Sequence, residues 1–265
     1  MADEMVKFDE ANALPAELKD ELEGKAQENM EGVQPRLPKM IMPTGRGKEF
    51  QIEQQAEADV ETKEVVGVLL YQTASNAYWS EPFGGGDAVV PDCASHDGIK
   101  PSSQYENLQS ETCAKCPHNR FGSARDPEGN KLPGKACRNV KRVVILRTDD
   151  STMPCILTVP PSSIKSFDDY MVMLAKNKRP YYTVGTGIKA ETEKNKSGIE
   201  YPHLLFELKG YINNQDVIND LLKKRDEWVE LLKTMVFQQD DVDPNPSNGT
   251  SFSPEATNVT GNPEF

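Results

Sequence analysis

Four of the five cysteines lie in one stretch of the chain and have the spacing of metal ligands. Cys113 and Cys116 form a Cys-x-x-Cys pair, Cys93 precedes the pair by 19 intervening residues, and Cys137 follows it by 20. Zinc prefers four deprotonated ligands in a tetrahedron, with sulfur at about 2.3 Å. One close pair and two distant thiols can supply that geometry. The spacing predicts one structural zinc ion held by these four cysteines.

The alternative to a metal site is a set of buried or free thiols. The sequence from Glu111 to His118 is polar, however, and is not typical of a hydrophobic core. His96 and His118 could each replace one thiol, but four cysteines already complete the ligand set. A complete set leaves no position for water, so the metal is predicted to be structural and not catalytic. Cys155 lies in an apolar strand and is predicted to be a small buried hydrophobe.

Positive charge is concentrated around the last of these four cysteines. Residues 115–147 contain nine basic and two acidic residues, whereas residues 1–31 carry a net charge of −7 and the chain beyond Lys233 a net charge of −5. Exposed cations attract phosphate, and single-strand binders combine them with aromatic rings on which bases stack. A solvated basic face is the alternative. The residues predicted to contact DNA are Lys135, Arg138, Lys141, Arg142, Arg120, Tyr78, Trp79, Phe83 and Phe121.

The pattern of apolar residues predicts the elements that position these side chains. Strands are predicted at 64–71, 141–147, 155–159, 181–190 and 203–211, and the second and third form a hairpin. Helices are predicted after Pro160 and at 214–236. Residues 91–138 show no sustained period, which is expected only where something other than a core organises the chain.

Five strands with a helix between the third and fourth have the connectivity of an OB barrel, a partly open Greek key. The predicted class is therefore mainly β with helices (α+β): an OB-fold five-stranded barrel, a zinc-ribbon-like insert at 91–138 between its first and second strands, and a C-terminal helix. A mixed α+β sheet domain with a separate zinc ribbon is the alternative. The predicted domains are a flexible acidic arm and linker at 1–47, the OB domain at 48–238, and a disordered acidic tail at 239–265.

Composition argues against several classes of protein. No window holds the roughly 18–20 apolar residues of a spanning helix, and the acidic N-terminus lacks the pattern of a signal peptide, so a soluble, cytoplasmic protein without a membrane partner is expected. Five cysteines, an odd number, do not indicate a disulfide framework. No HExxH, Walker A or nucleophile-elbow motif occurs, so no enzymatic activity is expected.

Three blocks of sequence, Pro91–Gly98, Cys113–Ser123 and Gly134–Arg138, resemble a family of bacteriophage and prophage single-stranded DNA-binding proteins. The resemblance covers roughly residues 64–210. The arrangement is also similar to the C-terminal OB domain of the replication protein A large subunit, in which a four-cysteine zinc element with a different ligand spacing interrupts the barrel near its first strand. The resemblance implies that the insert extends a DNA-binding groove.

Two functions are therefore expected. The first is a non-enzymatic protein that coats and protects single-stranded DNA during phage replication, recombination or repair in the cytoplasm of a bacterial host. The second is a zinc-containing adaptor that docks its insert and its Trp228 helix onto a polymerase, helicase or recombinase. Bacterial single-strand binders commonly end in an acidic segment with a terminal Phe that recruits such partners. Glu264 and Phe265 are candidates for that role, and a merely solubilising tail is the alternative.

Overall fold

The computed structural model describes residues 37–234 apart from 44–46, 55–57, 81–89, 127, 195–197 and 199, together with positions 18, 22, 25, 28, 29 and 31. The chain divides into two compact units, Met1–Leu37 and Pro38–Phe265. In the first, the N–H of Leu22 donates to the carbonyl of Leu18 at 2.9 Å, the bond of an α-helical turn. The predicted tail at 239–265 lies outside the described residues.

The second unit is mainly β, with nine described strands in one curled, mixed sheet that forms a half-barrel. The strands are β1 (Lys39–Ile41), β2 (Phe50–Ile52), β3 (Val60–Thr62), β4 (Glu64–Tyr78), β5 (Cys93–Ser95), β6 (Arg138–Arg147), β7 (Cys155–Val159), β8 (Val184–Lys194) and β9 (Glu200–Tyr211). Their order across the sheet is β3-β2-β1-β7-β6-β4-β8-β9, and β5 pairs with β4. The pairs are antiparallel except for β1 and β7, which are parallel.

Five of these strands are the ones that the sequence predicts: β7 has the predicted bounds, and the bounds of the other four differ. The predicted hairpin is confirmed, because β6 and β7 pair antiparallel. The first predicted strand is longer than expected: β4 continues past Tyr71 to Tyr78. The residues between, from Gln72 to Ala77, are small or polar and give no apolar signal. They nevertheless form part of strand β4, because β6 pairs with them along one edge and β5 pairs with the far end of the strand.

Two helices support the sheet. Helix α1 (Ile164–Lys176) begins after the 3₁₀ turn Pro161–Ser163, and helix α2 (Gln215–Thr234) contacts β4 and the 3₁₀ turn Tyr181–Thr183. The apolar face of α1 has the spacing of one helical stripe and buries Phe167, Tyr170 and Leu174. The main core lies between this face and the sheet. Within it the Tyr170 hydroxyl and Thr186 Oγ1 are 2.8 Å apart, so these buried polar groups are hydrogen-bonded.

The three strands before β4 were not expected. Residues 1–47 are predicted to be an arm and linker, yet Lys39–Ile41 form β1, with Met40 only 3% exposed. β1 runs parallel to β7 and occupies the edge of β7 that β6 leaves open. Each of these strands has only three residues, which is too short to show an alternating pattern. The side chains of β1 and β2 still extend the core, since Met40 and Phe50 are buried in it.

Gly67 is required by a close approach between β4 and β6. A Cβ at this position would lie 2.6 Å from the Leu146 carbonyl oxygen and 2.8 Å from Ile145 Cγ2. The Gly67→Ala substitution should therefore force backbone movement and lower the free energy of unfolding by about 1–3 kcal/mol. Urea denaturation would measure this. Gly210→Ala is the matched control in a strand, because a Cβ there meets no atom of the described residues within 4 Å. Equal effects of the two substitutions would contradict the explanation.

Candidate metal centre

All four predicted ligands line one cavity at the far end of β4. Cys93 is the first residue of β5 and pairs with Tyr78, while Cys137 directly precedes β6. Cys113 and Cys116 lie on a tight turn that leads into the 3₁₀ turn Pro117–Asn119. The cavity is lined by these cysteines and by Asn76, Tyr78, Ala94, Ser95, Pro101, Gln109, Ser110, Thr112 and Asn119. The structure thus brings together residues that are widely separated in sequence.

Backbone hydrogen bonds hold the cysteine-bearing segments against one another. The N–H of Cys113 donates to the Ile99 carbonyl at 2.9 Å, and that of Cys137 donates to the His118 carbonyl, also at 2.9 Å. Asn119 Nδ2 donates to the Cys113 carbonyl at 2.9 Å. The cavity wall is therefore fixed by hydrogen bonds to main-chain carbonyls, in a segment whose described residues do not belong to the main core.

The four residues are free thiols, and Cys113, Cys116 and Cys137 are each less than 9% exposed. Among the residues that the structure describes, no three His, Cys, Asp or Glu side chains are already arranged as a group that could hold a metal ion. The four thiols line one cavity, but their side chains are not arranged as the ligands of one metal ion. Coordination would require their side chains to move toward a common centre.

Burial governs the protonation of these thiols. Burial, with smaller contributions from the neighbouring Cys116, Cys113 and Cys93, raises the pKa of Cys137 to about 12. Burial also raises the pKa of Cys93. A metal binds the thiolate, so any metal entering this cavity must displace protons, and its affinity should increase with pH. The donors themselves suit zinc, because the described lining residues supply four thiols and no carboxylate.

Neither histidine near the cysteines lines the cavity. The His118 ring stacks on Tyr78 with centroids 4.0 Å apart, and His96 Nε2 lies 3.3 Å from Gln104 Oε1. Cys155 is also remote: it is 2% exposed within the main core, which confirms that it is a small buried hydrophobe.

An asparagine network that was not expected from the sequence ties the cavity to the sheet. Lys135 Nζ donates to Asn119 Oδ1 at 3.2 Å and to Asn139 Oδ1 at 2.9 Å. Asn139 Nδ2 donates to Asn76 Oδ1, and Asn76 Nδ2 donates to the Gly98 carbonyl at 3.2 Å. Asparagine is disfavoured in strands. Asn76 and Asn139, at paired positions of β4 and β6, were therefore the sequence signal that could have indicated this network.

The structure separates the cations that were predicted to form one DNA-binding surface. Side chains alternate between the two faces of β6, so Arg138 and Arg142 lie on one face and Lys141 on the other. Arg142 is only 2% exposed. Lys141 forms an ion pair with Asp168, and its Nζ lies 5.2 Å from the centre of the Phe167 ring. These contacts engage Lys141 with helix α1.

A smaller group of the predicted contacts does share a surface. Phe121 is 53% exposed, Lys135 Nζ lies 5.2 Å from the centre of its ring, and Arg120 is exposed beside it. The other aromatic residues differ: Tyr78 stacks on His118, and the half-buried Trp79 packs against the cluster of Ala77, Ala94, Tyr105 and Val140. Phe83, Glu264 and Phe265 lie outside the described residues.

Comparison of the chain with protein-family models, with curated proteins and with solved structures finds no match. Within the described ranges, no helix is both long and apolar enough to cross a membrane.

Proposed function

We propose that this protein binds single-stranded DNA and holds one structural zinc ion through Cys93, Cys113, Cys116 and Cys137. The observation that carries the proposal is the exposed Phe121 ring with Lys135 above it and Arg120 beside it. Such a group offers a base-stacking surface and a phosphate partner together. It lies within the cysteine-bearing segment, so the metal would fix the position of the stacking surface.

Strand pairing supports an OB-type barrel as the scaffold. β4 pairs with β6 and β8, β6 pairs with β7, and β8 pairs with β9, while α1 lies between β7 and β8 in the chain. These are the connections of the proposed barrel. The edge of β7 is paired with β1, so the sheet remains a half-barrel. β5 pairs directly with β4, which favours an insert that is continuous with the barrel over a separate ribbon domain.

The proposed zinc ion would act on folding and not on a reaction. Four thiolates leave no ligand position for water or substrate, and the proposed protein is not an enzyme. The described residues of 91–137 contribute nothing to the main core, so the metal would supply the free energy that orders this segment. The protein would act in the cytoplasm of a bacterial host during phage replication, recombination or repair, and its acidic tail would be the candidate site for protein partners.

The proposal is tested by titrating a fluorescently labelled dT oligonucleotide at low and moderate salt. Wild type should bind, and its affinity should fall steeply with salt because binding releases counterions. Phe121→Ala should weaken binding by about 1–3 kcal/mol, the contribution of one stacked base. Phe121→Tyr keeps a flat ring and should bind like wild type. Absence of binding by wild type at low salt would refute the function.

The adaptor remains the second candidate because two side chains of the insert are exposed hydrophobics. Ile99 is 64% exposed and Leu108 is 47% exposed. An adaptor would use exposed apolar side chains such as these as part of its docking surface. The same titration distinguishes the two functions, since an adaptor would show no salt-dependent affinity for dT.

A further inference from the structure

We infer that the protein has a second contact surface for single-stranded DNA at the turn after helix α1, an inference that rests on the proposed function. The turn patch consists of Lys176, Lys178, Arg179 and Tyr211. Lys176 is the last residue of α1, Lys178 and Arg179 follow it, and Tyr211 is the last residue of β9. None of these residues belongs to the cysteine-bearing segment, so the patch is distinct from the surface around Phe121.

Tyr211 and Arg179 form the stacking part of the turn patch. Tyr211 is 53% exposed, and the Arg179 guanidinium carbon lies 4.8 Å from the centre of its ring. Arg179 Nη1 donates to Asn213 Oδ1 at 3.0 Å, which holds the guanidinium in place. A held, planar cation over a half-exposed ring offers a flat surface to a base and positive charge to the adjoining phosphate.

The two lysines provide charge that no carboxylate of the described residues neutralises. Lys176 and Lys178 are both exposed, and neither forms an ion pair within the described part of the chain. By contrast, Lys165 at the other end of α1 is paired with Asp169 at 2.7 Å. The unpaired charge is therefore gathered at the end of the helix that adjoins Tyr211.

Lys178 occupies a left-handed backbone conformation that is unfavourable for a residue with a Cβ. Its φ is +53°, and among the described residues it is the only residue other than glycine with a positive φ. The N–H of Lys178 donates to the Ala175 carbonyl and that of Arg179 to the Leu174 carbonyl, which is the Schellman arrangement of a helix C-terminus. Glycine is favoured at this left-handed position because it has no Cβ. A lysine at this position lowers the stability of the protein, but it places a cation next to Arg179.

This conformation gives a test in which stability and binding should change in opposite directions. Lys178→Gly should raise the Tm, since glycine relieves the left-handed backbone, and should weaken dT binding several-fold. The slope of log affinity against log salt should fall by about one, as expected for one lost phosphate contact. Tyr211→Ala should weaken binding roughly fivefold or more through lost stacking. Thermal melting and anisotropy titrations of the full chain measure both quantities.

Lys165→Gln is the matched control, because it removes the same formal charge at the other end of helix α1, where Lys165 is paired with Asp169. It should leave both affinity and salt slope close to those of wild type. Unchanged dT affinity and slope in Lys178→Gly and Tyr211→Ala, with wild type binding normally, would overturn this inference and leave the proposed function intact. Failure of wild type to bind would instead refute the proposed function.

The chain's own acidic tail is the competing occupant of the turn patch. If the patch holds the tail away from DNA, Lys178→Gly would weaken binding only while the tail is charged. The same substitution should therefore be repeated in a full-length chain carrying Asp240→Asn, Asp241→Asn and Asp243→Asn. A loss of affinity that persists in this background supports direct DNA contact, and one that disappears overturns it.

Discussion

Cys116→Ser is expected to abolish zinc binding and to disorder the cysteine-bearing segment without unfolding the sheet. Losing one of four ligands removes most of the metal-binding free energy, which is about 10–16 kcal/mol for structural zinc in small domains. The main core contains none of the described residues between 91 and 137, so it should persist. Metal analysis should give one zinc per chain in wild type and almost none in the variant. Limited proteolysis should cut the variant selectively within this segment.

Cys155→Ser provides the matched control for this prediction. Cys155 is 2% exposed and Cys116 is 7% exposed, but Cys155 lies in the main core. Its replacement places a hydroxyl among apolar side chains, so it should lower overall stability and keep the zinc. Retention of stoichiometric metal by Cys116→Ser, or wild type purified without metal that takes up none on titration, would contradict the zinc site.

The parts of the fold that the sequence predicts well are those with a local signal. The β6–β7 hairpin and helix α1 have apolar patterns of the right period and clear turn residues between them. The convergence of the four cysteines follows from ligand chemistry and not from periodicity. That is why the spacing of Cys93 and Cys137 about the central pair could locate the cavity although the intervening chain is irregular.

The parts that the sequence did not predict depend on partners distant in the chain. Residues 39–41 form strand β1 because Lys39 and Met40 pair with Ile156 and Leu157 of β7. Nothing in the sequence near residue 40 indicates this pairing. Short strands of this kind are defined by the sheet that receives them.

The DNA-contact prediction failed to separate neighbours that a strand places on opposite faces. Lys141 and Arg142 are adjacent in sequence, and the two-residue period of β6 was available to divide them. The left-handed backbone of Lys178 could not be anticipated, because glycine is the usual sequence signal for that position. The Arg179–Tyr211 contact joins α1 to β9 and likewise has no local signal.

Phe50→Ala should lower the free energy of unfolding by about 3–5 kcal/mol. Phe50 lies on β2, has no exposed surface, and belongs to the same core cluster as Phe167 of α1 and Val143 of β6. Truncating a buried phenylalanine removes its transfer free energy and leaves a cavity. The size of the loss reports whether the N-terminal strands fold as part of the half-barrel. Urea denaturation followed by circular dichroism would measure it.

Val60→Ala is the control for this effect within the same group of strands. Val60 lies on the edge strand β3, pairs with Ile52 of β2, and is 37% exposed, so its truncation should cost little. A loss for Phe50→Ala as small as that for Val60→Ala would mean that β1 and β2 do not share the core. A large loss with one cooperative transition would mean that the strand paired with β7 is integral to the half-barrel, and that β7 is not free to close the barrel against β9.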